Sequence, residues 1–447
     1  MPLAVYRMLT LICGLVEALP VGTNLGMLHL LWMLVSGQLL ATRGAVIPGL
    51  SACGLPERVV RRAWAALGQG EWAINPLLAR WQTQVLAEGQ WQPRIHGGYH
   101  PVAVDMTAFW RPRLQNCATT HYHAEAGKAL PAIPVGLIAR VGRVGSQRLA
   151  LPLAFVRADP ADPSASAHTR LLVRAAIAQC APDDALVLDA GFSVALLQEE
   201  GATRYVVRLA KNSTFRRASP PPYQGRGRPP TRGALVRPLA RSYKGRSIPA
   251  TPPDRVETWT ADEVVLRAEF WDDLVRADVP EESPTLTVAA VYDPRYREPL
   301  LVGSPLSLSA PVLRAFYPDR WPVEQLPLAA KQMLGAARQF VHAPETTQRL
   351  PELALLAGAL LSYGAATAPA VPTGFWDRRP QPTPGRLRRA LACCPFPHDF
   401  PFPARLRTKA SPTAHLPTGF WGQRQRRAQE AGLAASTPAP QPHSHAA

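Results

Sequence analysis

The chain has 447 residues, and its 49 Lys and Arg outnumber its 32 Asp and Glu to give a net charge of +17. This length is enough for a sizeable core and about two to four domains. The charge predicts a polyanionic partner, because each Lys or Arg that neutralises a phosphate releases condensed counterions. Composition alone leaves DNA, RNA, an anionic membrane and an enzyme with a merely basic surface all open.

The cysteines and the apolar runs argue against two other classes. Six cysteines are scattered without the spacing of a zinc finger, and the adjacent Cys393 and Cys394 are a poor disulfide or metal pair. This usage favours a reducing cytoplasm. The apolar runs 8–19 and 27–40 are interrupted by polar residues and stay below the roughly 20 apolar residues of a spanning helix. They predict buried helices and no membrane partner.

Residues 1–95 have mainly helical patterns and are predicted to form a DNA-binding domain. Within them, residues 41–70 have the pattern of a helix, a turn and a second helix. The second helix places Arg58, Arg61 and Arg62 on one face, as in a helix presented to DNA. An ordinary helix with a solvated basic face has the same pattern, so both interpretations stay open.

Residues 96–210 change to shorter apolar runs that predict the first part of a catalytic core. The runs with strand character are 102–108, 149–156, 185–189 and 204–209, and residues 169–180 have helical character. Strands that alternate with helices predict an α/β fold with a mixed sheet flanked by helices.

Residues 211–305 predict a basic loop followed by a β-rich insertion. The segment 211–247 holds ten Lys or Arg and no acid, so it cannot form a core. Residues 256–274 and 285–302 are rich in strand-forming residues. The insertion would interrupt the α/β core.

Residues 306–366 are predicted to complete the core with helices over about 319–341 and 345–366. Residues 367–447 form a Pro-rich, basic tail that we expect to be largely disordered. The segment Pro-Thr-Gly-Phe-Trp at 372–376 recurs at 417–421, and arginines follow both copies. The two copies are candidate docking elements for DNA or protein.

Two acids lie in apolar strand segments. Asp105 lies inside the run 102–108, and Asp189 ends the run 185–189. A carboxylate in a hydrophobic strand is costly to bury unless it is paired or holds a cation. Two such acids on neighbouring strands would suit Mg²⁺ or Mn²⁺, which prefer oxygen ligands. Taken singly, each acid is equally well explained as the cap of a following turn.

A third group of polar residues shares one helix face. Tyr317, Arg320, Glu324 and Lys331 have offsets of 3, 7 and 14 residues, which fall within an arc of roughly 60° on a regular helix. The alternative is a solvated face with salt bridges. The apolar residues between them favour a helix packed on a core. Pro327 should kink this helix between the acid and the lysine.

The spacing of these four residues resembles the YREK signature of DDE transposases of the insertion-sequence-four type. Asp189-Ala-Gly-Phe192 is similar to the motif of that family's second acid, and residues 102–111 are similar to the strand that bears its first acid. The resemblance covers about residues 95–366 and includes the stretches 127–133, 205–212 and 225–230.

The resemblance implies a ribonuclease H-like fold with a β-strand insertion between the second and third acids. It implies that Asp105, Asp189 and Glu324 are catalytic and hold two Mg²⁺ ions, with Mn²⁺ as a substitute. The residues that it assigns to DNA contacts are Tyr317, Arg320, Lys331, Arg208, Lys211, Arg226 and Arg228.

The implied reaction is cleavage of double-stranded DNA at the inverted-repeat ends of a transposon, followed by strand transfer into target DNA. The resemblance further implies a homodimer on paired ends. It suggests that a base near the end is flipped onto an aromatic residue. Trp271, Tyr292 and Tyr296 are the candidates in the insertion.

Two other functions remain open from the sequence. One is a DNA-binding protein derived from a transposase that has lost catalysis, and the other is a nuclease of similar fold without strand transfer. A nucleotide cofactor is not expected, because the chain lacks a Gly-rich lysine loop for phosphates. His121 and His123 are expected to lie in a polar loop, since no third metal ligand is nearby.

Overall fold

The computed structural model describes residues 2–223, 225, 230–278 and 284–407. Its helices are α1 (Leu3–Val16), α2 (Thr23–Val35), α3 (Gln38–Ala41), α4 (Val46–Ala52), α5 (Glu57–Gln69), α6 (Ile74–Glu88), α7 (Ala165–Gln179), α8 (Val194–Glu199), α9 (Ala310–Phe316), α10 (Trp321–Leu328), α11 (Pro344–Thr367), α12 (Pro384–Ala392) and α13 (Ala404–Arg407). Its strands are β1 (Gln92–Pro93), β2 (His100–Trp110), β3 (Thr120–His123), β4 (Lys128–Val144), β5 (Gln147–Arg157), β6 (Asp184–Leu188), β7 (Tyr205–Arg208), β8 (Phe215–Arg217), β9 (Leu235–Val236), β10 (Arg241–Tyr243), β11 (Arg246–Ile248), β12 (Arg255–Ala261), β13 (Val264–Arg276), β14 (Leu286–Tyr292) and β15 (Leu300–Ser304).

Five strands form the centre of the sheet in the order β5–β4–β2–β6–β7. β4 is antiparallel to both β2 and β5, whereas β6 is parallel to β2 and β7 is parallel to β6. The helix α7 connects β5 to β6, and α8 connects β6 to β7. The predicted α/β architecture with a mixed sheet flanked by helices is therefore confirmed.

The β-rich segment continues the same sheet beyond β7. β15 pairs antiparallel with β7 through Val302 and Gly303, and β14, β13, β8 and β9 follow outward. β12 pairs with β13 as a hairpin. The segment predicted as an insertion thus joins the central strands edge to edge.

The two faces of the sheet belong to different cores. On β2, Ala103 and Phe109 belong to the core that also contains residues of α1, α2, α10 and α11, whereas Val102 and Val104 belong to the core that contains residues of α7. This follows from the alternation of side chains along a strand. Asp105 lies two residues from Ala103, so both side chains are on one face of the sheet. That face is the one toward the helix that carries the third acid.

The apolar runs near the start form the buried helices α1 and α2, as predicted. They pack against α11, the one helix of the described residues that is long and apolar enough to cross a membrane. Within that helix, 83% of the most apolar 18-residue stretch is buried inside the fold. All six cysteines lie within the described residues and are free.

The structure departs from the sequence predictions in four places. The long strand β4 was not predicted, because Pro131, Pro134 and Gly136 obscure its alternation of apolar and polar residues. His121 and His123 lie on the strand β3 rather than in a loop. Helical structure begins at residue 310 rather than 319 and ends at 333 rather than 341. The described part of the expected disordered tail contains α12 and α13, because Leu391, Phe396 and Phe400 are buried in the core. Residues 408–447, with the second Pro-Thr-Gly-Phe-Trp copy, lie outside the described part.

Candidate active site

Asp105 and Asp189 lie level with each other on neighbouring parallel strands. The pairing of β2 with β6 extends as far as Ala103 opposite Val187. Extended by two residues, this register brings Asp105 opposite Asp189, which directly follows β6, and paired strands lie about 4.8 Å apart. Both acids therefore share the face of the sheet to which Ala103 and Val187 belong.

Each aspartate also fixes its local backbone. The N–H of Met106 donates to Oδ1 of Asp105 at 2.8 Å, and the N–H of Gly191 donates to Oδ1 of Asp189 at 2.8 Å. One oxygen of Asp189 therefore caps the following turn, which is the alternative role that the sequence left open. The second oxygen of each carboxylate accepts no hydrogen bond from the described residues, so it is available to a ligand.

Glu324 reaches the same face from a helix that changes type twice. Tyr317–Arg320 form a 3-10 turn, α10 follows, and Ala329–Met333 form a π turn in which Leu334 N–H donates to Ala329 O at 3.0 Å. The irregularity follows from two prolines that lack an N–H: Pro322 after the 3-10 turn, and Pro327 inside α10 before the π turn. The 3-10 turn packs on β2 and β6, and α10 packs on β2, β4 and β5, so Glu324 is held over the strands that carry the aspartates.

The charges of the neighbouring acids act on Asp105. Burial is the largest cause that raises the pKa of Asp105, to about 6, and the hydrogen bond from Met106 opposes it. The carboxylates of Asp189 and Glu324 raise this pKa further, and Arg320 lowers it. The site therefore concentrates negative charge that a cation would relieve.

Arg320 and Tyr317 lie beside the acids with unused hydrogen-bonding capacity. Arg320 is 8% exposed, and its Nη1 is 2.5 Å from Oε1 of Glu324, while its Nε has no hydrogen-bond partner among the described residues. Burial opposes the raised pKa of Arg320, but Tyr317, Glu324 and Asp105 outweigh it. The hydroxyl of Tyr317 is buried and likewise has no partner within the described ranges. Unpaired buried polar groups are costly, and these two lie beside the acids, where a ligand can supply the partner.

Lys331 lies beside β2, two residues along the strand from Asp105. Its Nζ donates to Oγ1 of Thr107 at 2.7 Å and lies 5.0 Å from the ring centroid of Trp110. Burial lowers the pKa of Lys331 to about 8, and Asp105 opposes this shift. The lysine therefore remains in the site despite the proline in its helix.

An arginine-rich cavity of about 650 Å³ adjoins the acids. The register of β6 and β7 places Arg208 one strand beyond Asp189, on the same face. The cavity lining includes Tyr317, Tyr296, the acids Asp293 and Glu298, and five arginines, which are Arg94, Arg148, Arg208, Arg297 and Arg314. Arg94 and Arg148 pair with Asp319, and Arg314 pairs with Asp293. Arg208 is exposed, and Lys211 forms an ion pair with Glu298 at the cavity wall. The cavity can accept an anion next to the acids.

Sequence reasoning missed Asp319, which anchors the 3-10 turn. Its carboxylate is fully buried and accepts from Arg94 Nε at 2.6 Å, lies 2.7 Å from His96 Nε2, and contacts Arg148 Nη1 at 3.4 Å. The partners lie more than 170 residues away in the chain, so no local pattern could have identified them. Asp319 fixes the turn that carries Tyr317 and Arg320.

The structure narrows the choice among the aromatic candidates. Trp271 is wrong as a base acceptor, because it is fully buried on the opposite face of the sheet and its Nε1 donates to Thr251 O at 3.0 Å. Tyr292 packs on that opposite face too, and its hydroxyl donates to Glu269 at 3.0 Å. Tyr296 is 60% exposed and lines the arginine cavity.

The structure says less about the remaining residues that were predicted to contact DNA. Arg58 and Arg61 of α5 are exposed and Arg62 is half-buried, so the helix-turn-helix hypothesis stays a prediction. Arg226 and Arg228 lie outside the described residues. In the described ranges, no three His, Cys, Asp or Glu side chains are gathered as in a formed metal site.

The chain was compared with known proteins. A scan against protein-family models gave no match. A search of the curated proteins also gave none.

Proposed function

We propose that this chain is a DNA transposase that cleaves transposon ends and transfers them to target DNA by divalent-metal-dependent phosphoryl transfer. The observation that carries the proposal is the convergence of Asp105, Asp189 and Glu324 on one face of the sheet, where the charges of Asp189 and Glu324 both raise the pKa of Asp105. Two strand acids with a helix acid above them supply the donor groups of a two-metal site, and their side chains, which are not gathered as ligands in the described residues, would close on the ions.

The strand order supports a ribonuclease H-like core. Such a core has three antiparallel strands followed by two parallel strands, each reached through a helix, as in β2, β4, β5, β6 and β7. The first acid lies on the central strand and the second at the end of its parallel neighbour. The strands β8 to β15 then lie between the second and third acids, where the sequence resemblance expects an insertion.

The donor atoms fit Mg²⁺, with Mn²⁺ as a substitute. All three side chains offer carboxylate oxygens, the ligands that these hard cations prefer. Glu324 is 45% exposed and pairs with Arg320, so rotation of its side chain away from Arg320 would complete the set. When bound, the ions would lower the pKa of the attacking water or DNA 3′-hydroxyl and stabilise the leaving oxygen.

The chain's own cations would orient the scissile phosphate. Arg320 would turn its unpaired Nε to a phosphate oxygen when Glu324 leaves it, and Tyr317 would donate its unpaired hydroxyl to the same strand. Lys331 would contact a phosphate near Thr107, two residues along β2 from Asp105. Phosphoryl transfer depends mainly on such positioning and charge stabilisation.

The arginine cavity would hold the DNA next to the cut. Arg208 and Arg297 have no ion-pair partner in the described part of the chain, so both can bind phosphates. Tyr296 would stack with a base flipped from the duplex near the end. A homodimer on paired inverted repeats, in the cytoplasm, completes the proposal.

The decisive experiment uses Asp105→Asn, Asp189→Asn and Glu324→Gln in a strand-cleavage assay with Mg²⁺ and a labelled duplex that carries a transposon end. We expect each change to lower the cleavage rate by at least about 1,000-fold, because carboxylates that hold catalytic ions cannot be replaced by amides. Binding of the duplex in EDTA should change little.

The matched control is Asp183→Asn, an acid at the start of the same strand pair with a 58% exposed side chain. It should leave cleavage unchanged. If an amide variant cuts as fast as the parent protein, that residue is not in the active site. If cut ends are hydrolysed but never joined to target DNA, the chain is a nuclease, and if no cutting occurs with any metal, it is a DNA-binding protein.

A further inference from the structure

The first copy of the repeated pentapeptide forms an exposed aromatic turn, residues 372–379, that lies outside the candidate active site. Phe375 is 96% exposed and Trp376 is 67% exposed, and their rings contact each other edge to face at 5.1 Å. Phe375 is the most exposed of the large hydrophobic side chains in the described part of the chain. Burial of such rings on a partner would be strongly favourable.

The turn has a defined backbone, although its rings are exposed. The N–H and Oγ1 of Thr373 both donate to Oδ2 of Asp377 at 3.1 Å, and the N–H of Asp377 donates to Gly374 O at 3.0 Å. Asp377 is further held by Arg386 of α12 at 3.1 Å. The aromatic pair is therefore presented by an ordered turn, which reduces the entropy lost on binding.

Gly374 determines how the indole is displayed. A Cβ atom at this position would lie 2.4 Å from the ring of Trp376, so the ring covers the Gly374 backbone. Its other side remains open, as the 67% exposure of Trp376 requires. Thr, Gly, Phe and Trp recur together at 418–421, so the sequence repeats the aromatic pair and the glycine before it, but Gly422 stands where the first copy has Asp377.

The charge around the turn favours a nucleic acid over an apolar protein surface. Arg378 and Arg379 are exposed and have no ion-pair partner among the residues that the structure describes. Asp377 is the only acid between Glu352 and Asp399, and Arg386 already neutralises it. Aromatic rings beside free arginines combine base stacking with phosphate contacts.

We infer that the aromatic turn 372–379 is a binding site for single-stranded DNA, in which an unpaired base stacks on Trp376 and Phe375 and the backbone phosphates contact Arg378 and Arg379. The choice of DNA as the nucleic acid rests on the proposed function. The site suits DNA with unpaired bases, because a base within a duplex cannot reach an exposed ring pair of this kind.

The test measures binding of the full chain to a mixed-sequence single-stranded 20-nucleotide DNA in EDTA, by fluorescence anisotropy over a range of salt concentrations. Trp376→Ala should weaken binding by about 5- to 160-fold, the range for loss of one stacking residue, and Trp376→Phe should retain most of the affinity. Arg378→Gln with Arg379→Gln should reduce the slope of log affinity against log salt by about 1.4, because each phosphate contact contributes about 0.7 with single strands.

Two matched controls separate this site from bulk effects. Arg43→Gln with Arg338→Gln removes the same charge from exposed arginines elsewhere, and Phe340→Ala removes an exposed ring of 61% exposure. Both should leave binding within about twofold of the parent. Equal losses in the controls and the turn variants would overturn the inference, and so would unchanged DNA binding with a changed oligomeric state, which would identify the turn as a protein-docking element.

The outcome is independent of the catalytic proposal. Single-stranded binding is measured without metal, so it does not depend on Asp105, Asp189 or Glu324. Loss of binding in the turn variants with no cleavage by the parent protein would retain this site and reject the transposase. Normal cleavage by the parent protein, with single-stranded binding unchanged in the turn variants, would reject this site and retain the transposase.

Discussion

The buried carboxylate of Asp319 offers a sharp test of how the candidate site is held in place. We expect Asp319→Asn to destabilise the protein, because the amide has no charge to offset Arg94 and Arg148. Removal of one partner from a buried ion pair costs about 3–5 kcal/mol. The side chains of Arg94 and Arg148 are 27% and 41% exposed, so solvent screens part of this loss and we expect about 2–3 kcal/mol.

The measurement is the free energy of unfolding in urea for the parent, Asp319→Asn, Arg94→Gln and the double variant. Since Arg94 Nε donates to Asp319 at 2.6 Å, the two single changes should not add, and the coupling energy should be about 1 kcal/mol or more. Asp183→Asn, at an exposed acid, should change the free energy by less than about 0.5 kcal/mol. An Asp319 variant as stable as the parent, or additive effects with Arg94, would refute this account.

Two further predictions concern metal and DNA. In the metal-free protein Asp105 has a pKa of about 6, and a metal ligand must be ionised, so Mg²⁺ affinity should fall as pH drops below 6 and level off above about 7. Calorimetry in buffers of different ionisation enthalpy should show proton release on Mg²⁺ binding at pH 5.5 and almost none at pH 8. Asp105→Asn should abolish this proton release. An Mg²⁺ affinity that does not change with pH would contradict the prediction. In the basic loop, Arg232→Gln with Arg246→Gln should reduce the salt slope of duplex binding by about 1.8, as both are exposed without an ion-pair partner in the described ranges. Lys211→Gln with Arg217→Gln should reduce it less, because these cations pair with Glu298 and Asp254; equal reductions would show that the ion pairs do not matter.

The parts of the site that lie on local patterns were predictable. The apolar runs around Asp105 and Asp189 predicted two strands, and the fixed alternation of a strand then determines which face each acid shares. Their level position needed the structure, because the parallel register of β2 and β6 depends on pairing across some 80 residues. The strand β4 joins β2, β3 and β5, yet its prolines obscured the pattern that would have revealed it.

The groups that support the site were not predictable from local sequence. The partners of Asp319 come from a turn before β2 and from β5, and the arginine cavity takes residues from five separate stretches of chain. An arginine in an exposed loop and an arginine in such a cavity look alike in sequence. Only the packing of the 3-10 turn against β2 and β6 distinguishes them.

The proline in the third-acid helix shows why a helical wheel is an incomplete guide. The offsets of Glu324 and Lys331 predict one face only if every residue turns by about 100°. Pro327 prevents this, and the wide π turn that follows adds backbone per turn. The turn nevertheless brings Lys331 onto Thr107, two residues from Asp105 on β2, because its neighbours Ala329 and Ala330 are buried against the core. The helical wheel thus predicted correctly that Lys331 lies near the acids, but for the wrong geometric reason. The lysine is held there by its contact with the strand of the first acid, and not by a regular helix that continues from the third acid.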